Sequence, residues 1–434
     1  MTDSHTVDAS SGGRSAQASE IEPDSGNENQ AVLTQVQEET ESDQLHFSVR
    51  GTLVITFAHF AHDLYGSFTA VLIPPVQEKL GIPLSIAALM VPAQQMPSIL
   101  QPFIGVLADR TSKRWFVVLA PGVAAISISS IGLAPHFALV LLLLFTAGLA
   151  SASFHTPAVA LAGERGGKKV GQSMAMFLGG GDLARTVGPL FITAAISWFT
   201  LEGSFVVMIF GIIASIILFF KVNTDASDTA QRSRERVPLI PLLRAKLRWI
   251  AALLAFVGIF GLGFVPFSIF LVKLLVAQGH SSWYAGFSLS ALFGAGVVGG
   301  FAGGILSDRY GRRIVLALAT LGGIPLLYLY LWFDNHSIAA IPILILAGIL
   351  MRSARPIQLA LMQDMIPEAR GPASGVLLAF QFIAQSATAF GFGALADAVG
   401  IERAFWIVPV FALIAIPIVS LLPSVTSGVR RGHG

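Results

Sequence analysis

The sequence predicts an all-α membrane protein with twelve transmembrane helices in two six-helix halves. Three observations carry this prediction. The 434 residues are 54% hydrophobic and only 12% charged, with a mean hydropathy of +0.73, whereas a soluble domain has about 25% charged residues. Twelve apolar stretches approach the roughly 20 residues that a membrane-spanning helix needs. Two of the loops between them carry one motif at corresponding places.

The chain begins with an acidic segment, residues 1–46, which we expect to be disordered. It holds ten acidic residues and one basic residue, so its net charge is −9 and the rest of the chain carries +11. A segment so polar and charged buries too little apolar surface to fold alone. It has no basic region followed by an apolar core, which argues against a signal peptide.

The predicted spans fall into two sets of six. The first set lies near residues 51–74, 85–107, 115–135, 137–162, 171–198 and 203–221. The second set lies near residues 247–276, 283–306, 314–333, 337–363, 372–397 and 403–423. We therefore predict an N-terminal half over 47–222, a polar linker over 223–246, a C-terminal half over 247–425 and a tail over 426–434.

The loops at one end of the predicted bundle carry most of the Lys and Arg residues. They lie near residues 110–114, 165–169, 232–248, 309–313, 370 and 430–431, whereas the loops at the other end have little beyond Lys79 and Arg403. Basic loops stay in the cytoplasm. We therefore expect both termini and the linker to be cytoplasmic, with the helices in the cell (inner) membrane.

The two halves repeat each other in sequence. GVLADRTSKR (residues 105–114) closes the second span, and GILSDRYGRR (residues 304–313) closes the eighth, which is the second of its half. A weaker repeat relates the stretch that begins at His155 to the stretch that begins at Arg355. Duplicated sets of spans are typical of secondary transporters.

These features resemble the major facilitator superfamily over about residues 48–425. Within it, HFAHDLYGSFTAVLIPPVQ in the first span, SFHTPA in the fourth and GG…GP in the fifth resemble the fosmidomycin-resistance branch of drug exporters. The resemblance implies alternating access between the two halves and supports a His and an Asp, here His59 and Asp63, as functional residues. Asp182 and Arg185 depart from the branch pattern, which leaves the substrate in doubt.

The repeated motif predicts a cytoplasmic latch. A glycine allows a neighbouring helix to approach closely, and an aspartate four residues later can pair with an arginine or with the positive end of a helix in the other half. The alternative is that these basic loops only fix topology. The predicted latch residues are Gly105, Asp109, Arg110, Arg114, Gly304, Asp308, Arg309 and Arg313.

Charged residues inside predicted spans point to function, because a charge at mid-bilayer costs several kcal/mol. Asp63 is about 18 Å into the first span at 1.5 Å per residue. His59, His62 and Asp63 lie at i, i+3 and i+4 and share one helix face. We predict Asp63 as the proton carrier, with His59 and His62 beside it. A hydrogen-bonded cluster without a role in transport is the alternative.

Several polar residues on other spans fall in the same layer and predict a substrate site. They are Asp182, Arg185, Arg352, Arg355, Gln94 and Gln95, with His155 nearer the cytoplasm. Three guanidinium groups would give a cavity a positive lining, and guanidinium binds phosphate, phosphonate or carboxylate through paired donors. The alternative for Asp182 and Arg185 is an ion pair that involves only these two residues. The alternative for His155 is a hydrogen-bonded side chain at a helix kink caused by Pro157.

The sequence therefore predicts a proton-coupled antiporter that exports a small anionic compound, such as a phosphonate-type antibiotic. The GG…GP pattern of the fifth span resembles an antiporter signature. Import of an organic anion by proton symport and a transporter-derived sensor remain open. We expect a monomer in the lipid bilayer that works with protons and a small molecule. No enzyme activity, cofactor, nucleic-acid partner or metal is expected, since His, Asp and Glu do not gather at metal-ligand spacing along the chain.

Overall fold

The structure is a computed structural model that describes residues 48–166, 169–222, 239–333 and 339–423. Within these ranges all regular secondary structure is helical, and the chain after residue 46 forms one compact unit. The all-α prediction is therefore confirmed. The acidic segment 1–46, most of the linker and the tail 426–434 lie outside the described residues.

The described residues of the N-terminal half form nine α-helices. They are α1 (Val49–Gly66), α2 (Thr69–Leu80), α3 (Leu84–Ala87), α4 (Met90–Gln95), α5 (Gln101–Arg110), α6 (Lys113–Ser129), α7 (Phe137–Gly166), α8 (Val170–Gly203) and α9 (Met208–Lys221). Short 3₁₀ segments at Met96–Leu100, Ser130–Leu133 and Ser204–Val207 connect some of them.

The C-terminal half follows a short helix, α10 (Leu239–Ala245), at the end of the predicted linker. Its helices are α11 (Leu247–Ala277), α12 (Ser282–Tyr310), α13 (Arg312–Trp332), α14 (Ala340–Met365), α15 (Arg370–Val399), α16 (Ile401–Ile407) and α17 (Ala415–Leu421). The 3₁₀ segments are Pro367–Ala369 and Pro409–Ile414.

Nine segments among the described residues are long and apolar enough to cross a membrane. One of them, Gln172–Lys221, has 50 residues and would extend about 75 Å if it were one straight helix. It is interrupted at Thr200, which has a φ of 63°, so it corresponds to the predicted fifth and sixth spans. The first and second predicted spans are broken helices outside the nine, and the count of twelve crossings stays a prediction.

Proline explains why the second predicted span is broken into short pieces. Pro92, Pro97 and Pro102 lie in or beside α4, a 3₁₀ turn and the start of α5. Each proline lacks an N–H donor and disrupts the preceding helical turn. The first predicted span divides between α1 and α2 at Gly66–Phe68, where Ser67 Oγ donates to Leu64 O at 2.6 Å.

Glycines set the closest helix contacts in the C-terminal half. A Cβ atom at Gly299 would lie 2.2 Å from Ile349 O, and one at Gly303 would lie 2.5 Å from Ser353 O. Both oxygens belong to α14. The lack of a side chain at these two positions therefore lets α12 pack closely against α14.

An ion pair recurs at the same end of both halves. Lys113 Nζ donates to Glu164 Oε1 at 2.7 Å and joins the start of α6 to the end of α7. Arg312 pairs with Asp364 and joins the start of α13 to the end of α14. Lys113 and Arg312 hold equal positions in the two copies of the loop motif. We call this end of the bundle the basic end.

The two halves are also joined at the end remote from the basic loops. The backbone N–H groups of Leu84 and Ser85 each donate to an Asp397 carboxylate oxygen at 2.8 Å. A Cβ atom at Gly393 would lie 3.0 Å from Leu84 O, so α15 packs directly against α3. This contact links the N-terminal half to the C-terminal half outside the central site.

Candidate functional site

Asp63 lies at the centre of a buried polar cluster. Its helix, α1, begins at an N-cap where Ser48 Oγ accepts from Gly51 N at 3.1 Å. Asp63 is 7% exposed, and His59 and His62 on the same helix face are each 3% exposed. His59 Nε2 lies 3.3 Å from Asp63 Oδ2. The predicted one-face arrangement of these three residues is therefore confirmed.

His155 joins the cluster from α7. Its Nε2 atom lies 3.3 Å from Asp63 Oδ1, and its ring is perpendicular to that of His59 at a centroid distance of 5.4 Å. The two imidazoles therefore approach different oxygens of the same carboxylate. His155 belongs with the predicted proton residues in space, although the sequence grouped it with the substrate residues.

Backbone carbonyls fix the orientation of both imidazole rings. His59 Nδ1 lies 2.7 Å from Phe177 O, and His155 Nδ1 lies 2.9 Å from Ser151 O. A carbonyl oxygen only accepts, so each Nδ1 atom carries the hydrogen. In a neutral ring the Nε2 atom then points a lone pair at Asp63. Each of these contacts is favourable only when a proton lies between the nitrogen and the carboxylate.

Arg185 of α8 connects Asp63 to a second carboxylate. Arg185 Nη2 donates to Asp63 Oδ2 at 2.6 Å, and its Nη1 donates to Asp182 Oδ1 at 3.1 Å. The side chains of Arg185 and Asp182 remain 30% and 32% exposed. The Asp182–Arg185 ion pair that we considered as an alternative therefore exists. It is not exclusive to these two residues, because Arg185 also binds Asp63.

Glycine makes the approach of α8 to α1 possible. A Cβ atom at Gly181 would lie 2.5 Å from His59 Cε1 and 3.1 Å from Asp63 Oδ2. A Cβ atom at Gly180 would lie 2.6 Å from Thr56 O. Gly180 and Gly181, directly before Asp182, therefore let the fifth predicted span bring a charged pair to the Asp63 cluster.

The C-terminal half contributes two arginines from α14. Arg352 Nη2 lies 3.7 Å from Asp182 Oδ1, and the Arg352 side chain is only 14% exposed. Its guanidinium lies 5.8 Å from the ring centroids of both Phe264 and Phe293. Gly296 leaves room for it, since a Cβ atom there would lie 2.7 Å from Arg352 Nε.

Arg355 lies one turn further along α14 and is exposed. It is within electrostatic range of Arg185, Asp182 and Asp63. Among the described residues it has no ion-pair partner within 4.0 Å. The predicted layer therefore comes together from three helices, with two carboxylates and three guanidinium groups.

The remaining predicted site residues have other neighbours. His62 stacks on Phe154 at a centroid distance of 4.6 Å, and its buried Nδ1 atom has no hydrogen-bond partner in the described part of the chain. Gln94 accepts from Thr69 Oγ1 at 2.7 Å and donates to Gly66 O at 3.3 Å. These bonds hold the break between α1 and α2. Gln95 lies 3.5 Å from Ser386 Oγ, across the two halves.

The predicted latch is only partly described. Arg114 Nη2 donates to Phe219 O at 2.5 Å, so this arginine joins α6 to α9 within one half. Arg309 lies over the ring of Tyr310 at 5.3 Å. The surroundings of Gly105 and the side chains of Asp109 and Arg110 lie outside what the structure describes. For Asp308 and Arg313 the latch stays a prediction.

One part of the latch prediction is wrong in this conformation. Among the described residues, a Cβ atom at Gly304 would meet nothing within 4 Å, so no described helix approaches closely there. The close contacts of α12 are made at Gly303, the residue before Gly304, and at Gly299, more than one turn earlier. These two glycines face α14 within the same half, whereas the latch was expected to join the two halves.

The expectation that His, Asp and Glu do not gather at metal-ligand spacing is wrong at the Asp63 cluster. One ligand atom from each of His59, Asp63 and His155 lies within 4.8 Å of the others. Spacing along the chain misses this group because His155 arrives from another helix. The guanidinium of Arg185 already binds Asp63 at 2.6 Å, and its positive charge opposes the binding of a metal cation in this group.

Sequence reasoning also missed several partners. The acids of the repeated ion pairs, Glu164 and Asp364, carried no signal beyond their charge. Gln381 Nε2 donates to Gln358 Oε1 at 3.0 Å and joins α15 to α14. Asp397 stands at the end of the eleventh predicted span, where nothing in the sequence indicates its partners. These contacts depend on helix rotation, which the apolar patterns leave open.

Known proteins resemble this chain in sequence. The sequence model of the Major Facilitator Superfamily matches residues 55–389 and 295–432. The Fosmidomycin resistance protein of Escherichia coli (strain K12) is 24% identical over 358 residues, covering 81% of this chain and 87% of that protein. An Uncharacterized MFS-type transporter, YfnC, of Bacillus subtilis (strain 168) is 24% identical over 390 residues, covering 86% and 92%.

Solved structures share the fold at low sequence identity. The crystal structure of a D-xylose-proton symporter matches with a TM-score of 0.69 and 15% identity, covering 87% of this chain and 99% of that one. A bacterial homolog to the human lysosomal transporter Spinster, in an inward-facing and occupied conformation, matches with a TM-score of 0.66 and 17% identity, covering 86% and 95%.

Proposed function

We propose that this chain, which belongs to the major facilitator superfamily, is a proton-coupled antiporter that exports a small organic anion. The family makes it a multi-pass membrane transporter. The finer proposal includes the cell membrane as location, cytoplasmic termini and a working monomer. The observation that carries it is the buried Asp63 carboxylate, which lies between two oriented imidazoles and the Arg185 guanidinium. Through Asp182, Arg185 is also linked to Arg352 of the second half.

The arrangement of the Asp63 cluster supports proton binding. His59 Nε2 is buried and has no hydrogen-bond partner among the described residues, although Asp63 Oδ2 is 3.3 Å away. A proton added to His59 or Asp63 would complete that contact. His155 offers the same opportunity at the other carboxylate oxygen. The cluster can therefore take up protons without moving any backbone, which is what a reversible carrier needs.

The charge of the central layer supports an anionic substrate. Asp63 and Asp182 offset two of the three guanidinium groups of Arg185, Arg352 and Arg355 while the histidines are neutral. A charge held in a poorly hydrated site needs a partner. Arg355 is the exposed member, and a phosphonate, phosphate or carboxylate group could bind it together with Arg352 through paired donors.

Electrostatics restrict how such a substrate could drive protons out. A simple anion that draws Arg185 away leaves Asp63 without its cation, which favours protonation of Asp63. Protons and a simple anion would then bind together. Antiport therefore requires a substrate with a second group, a hydrogen-bond donor or a cation, that replaces the proton at Asp63 while the anionic group binds Arg352 and Arg355. The name of the E. coli relative supports export of a drug.

Proton symport of a simple anion is the second candidate, and the Asp63–Arg185 bond favours it. In this mechanism the anion takes Arg185, and Asp63 takes up a proton in response. The two candidates use the same residues but predict opposite proton movement. They also predict different substrates, since symport needs only the anionic group.

Proton flux in proteoliposomes with an imposed pH gradient would test the proposal. We would compare methylphosphonate, which is a simple anion, with 2-aminoethylphosphonate, which adds a donor group, and include carboxylates, sugars and cationic dyes. Antiport predicts that protons move opposite to 2-aminoethylphosphonate and that Asp63→Asn abolishes the movement. Protons moving with both phosphonates would overturn antiport and support symport. Empty liposomes serve as the control.

A further inference from the structure

A second charged cavity lies away from the central site, at the basic end of the N-terminal half. Its volume is about 440 Å³, which falls within the roughly 300–1,000 Å³ of small-molecule pockets. The start of α1 and the ends of α7 and α9 form its walls. The described lining residues include three basic side chains, Arg50, Arg165 and Lys221, and none of them is acidic.

The local backbone adds to the positive character of this cavity. The N-terminus of α1, an 18-residue helix, opens onto it through Ser48, Arg50 and Gly51. Helix N-termini carry partial positive charge and favour anions. The Arg165 carbonyl accepts from Ser48 N at 3.0 Å, so the end of α7 is fixed against the start of α1.

The Arg165 side chain fits its position closely. A Cβ atom at Gly51 would lie 2.9 Å from Arg165 Cδ and 3.2 Å from Arg165 Cγ. The absence of a side chain at Gly51 therefore gives the Arg165 stem its path toward the cavity. Arg50 and Lys221 are exposed and have no ion-pair partner among the described residues.

The second half does not repeat this arrangement. In the weaker sequence repeat that pairs His155 with Arg355, the position of Arg165 corresponds to Met365. Met365 is an apolar residue that is 7% exposed at the end of α14. The repeated fold thus tolerates an apolar side chain here, and a basic residue at this position is a property of the N-terminal half alone.

The cavity also borders the surface that faces lipid. Phe220 lines it and is 70% exposed, as expected of an aromatic side chain in contact with acyl chains. Basic pockets between membrane helices on the cytoplasmic side bind the head groups of anionic lipids. Phosphate also matches the paired donors of arginine.

We infer that Arg50, Arg165 and Lys221 form a binding site for the phosphate head group of an anionic phospholipid. The head group would occupy the cavity beside the α1 N-terminus, and the acyl chains would lie along Phe220. The site would tie the start of α1, which carries Asp63, to α7, which carries His155, and so bears on the proposed proton site. Lipid binding itself can be measured without transport, so the two proposals can fail separately.

The test uses the full-length protein in detergent, titrated with short-chain phosphatidylglycerol and followed by native mass spectrometry. The variant Arg50→Gln/Arg165→Gln/Lys221→Gln removes three charges from the cavity. The matched control Arg244→Gln/Lys246→Gln/Arg248→Gln removes three exposed charges from the end of the linker and the start of α11. We expect the cavity variant to lose at least about tenfold in affinity and the control to lose less than about twofold.

Further arms of the experiment separate the alternatives. Gly51→Ala keeps every charge but displaces the Arg165 stem, and we expect a several-fold loss of phosphatidylglycerol affinity with unchanged elution on size exclusion. Phosphatidylcholine should bind far more weakly. Equal losses of affinity in the cavity and control variants would mean that the three cations only fix the topology of the loops. That result would overturn the proposed lipid site. Displacement of the lipid by millimolar inorganic phosphate would assign the cavity to a soluble phosphate compound and overturn the lipid assignment.

If the cavity instead held the chain's own acidic segment, residues 1–46, the intact protein would bind phosphatidylglycerol no better than the cavity variant does. That result would also overturn the assignment. The lipid is favoured because the cavity opens beside Phe220, an apolar and exposed neighbour that an acidic peptide does not need.

Discussion

The two halves of the molecule repeat one frame but carry different chemistry. At the basic end the same ion pair recurs, Lys113–Glu164 in one half and Arg312–Asp364 in the other. At mid-length the repeat breaks down, because His155 stands in α7 where Arg355 stands in α14. The structural ion pair is therefore present in both halves. The histidines and carboxylates of the central site all belong to the N-terminal half.

This division gives each half a distinct role in the proposed mechanism. The N-terminal half holds the imidazoles and the Asp63 carboxylate, which are groups that can bind and release protons. The C-terminal half presents Arg352 and Arg355, which stay charged under all physiological conditions. A proton-binding half and an anion-binding half meet at Asp182, which contacts Arg185 on one side and Arg352 on the other.

The largest effect is expected from Asp63→Asn. The amide has nearly the shape of the carboxylate but cannot bind and release a proton, so proton-coupled flux should fall by at least about a hundredfold. Exchange of substrate for substrate, which needs no net proton movement, should persist. Both are measured in proteoliposomes, with expression compared on gels. Asp63→Glu keeps a titratable group and should retain part of the coupled flux.

Full proton-coupled flux by Asp63→Asn would show that Asp63 does not carry the proton. The proposed difference in role between the two halves would then be wrong. Loss of exchange and coupled flux together, with normal expression, would make Asp63 a structural anchor for Arg185.

A smaller effect, confined to the C-terminal half, is expected from Arg355→Gln. Charged hydrogen bonds contribute roughly 1.5–3 kcal/mol, so affinity for an anion should fall about tenfold to a hundredfold. A neutral analogue of the same size should lose far less. Binding is measured by substrate-induced quenching of tryptophan fluorescence, with Arg352→Gln as a second variant. Equal losses for the anion and the neutral analogue would indicate a structural role.

The sequence predicts the helix faces and depths of the site residues better than it predicts the contacts between them. Helical spacing brings His59 and Asp63 together correctly, since i and i+4 share a face on any helix. Depth along the spans also anticipates that Asp182 and Arg352 share a layer, and they lie 3.7 Å apart. Depth says nothing about rotation, so the approach of His155 to Asp63 stayed hidden.

Local sequence also explains where the predicted helices fail. Pro92 and Pro97 break the second predicted span, and proline is visible in the sequence. The contact between Asp397 and the N-terminus of α3 is different. It joins two halves whose relative position no pattern within either half determines.

The smallest effect is expected at the ion pairs that the halves share. Arg312 is 9% exposed, with Asp364 at 27%, whereas Lys113 is 10% exposed, with Glu164 at 37%. Removing the acid leaves a buried cation without its partner, which should cost roughly 1–3 kcal/mol of stability. We expect Asp364→Asn to cost more stability than Glu164→Gln, because its pair is better shielded from water and guanidinium binds carboxylate through more than one donor.

Double-mutant cycles with Arg312→Gln and Lys113→Gln, read by thermal unfolding in detergent, would give the two coupling energies. Similar coupling in both halves, with transport unchanged in direction, would support a duplicated structural frame. Coupling confined to one half would mean that the halves have diverged even where their contacts look alike.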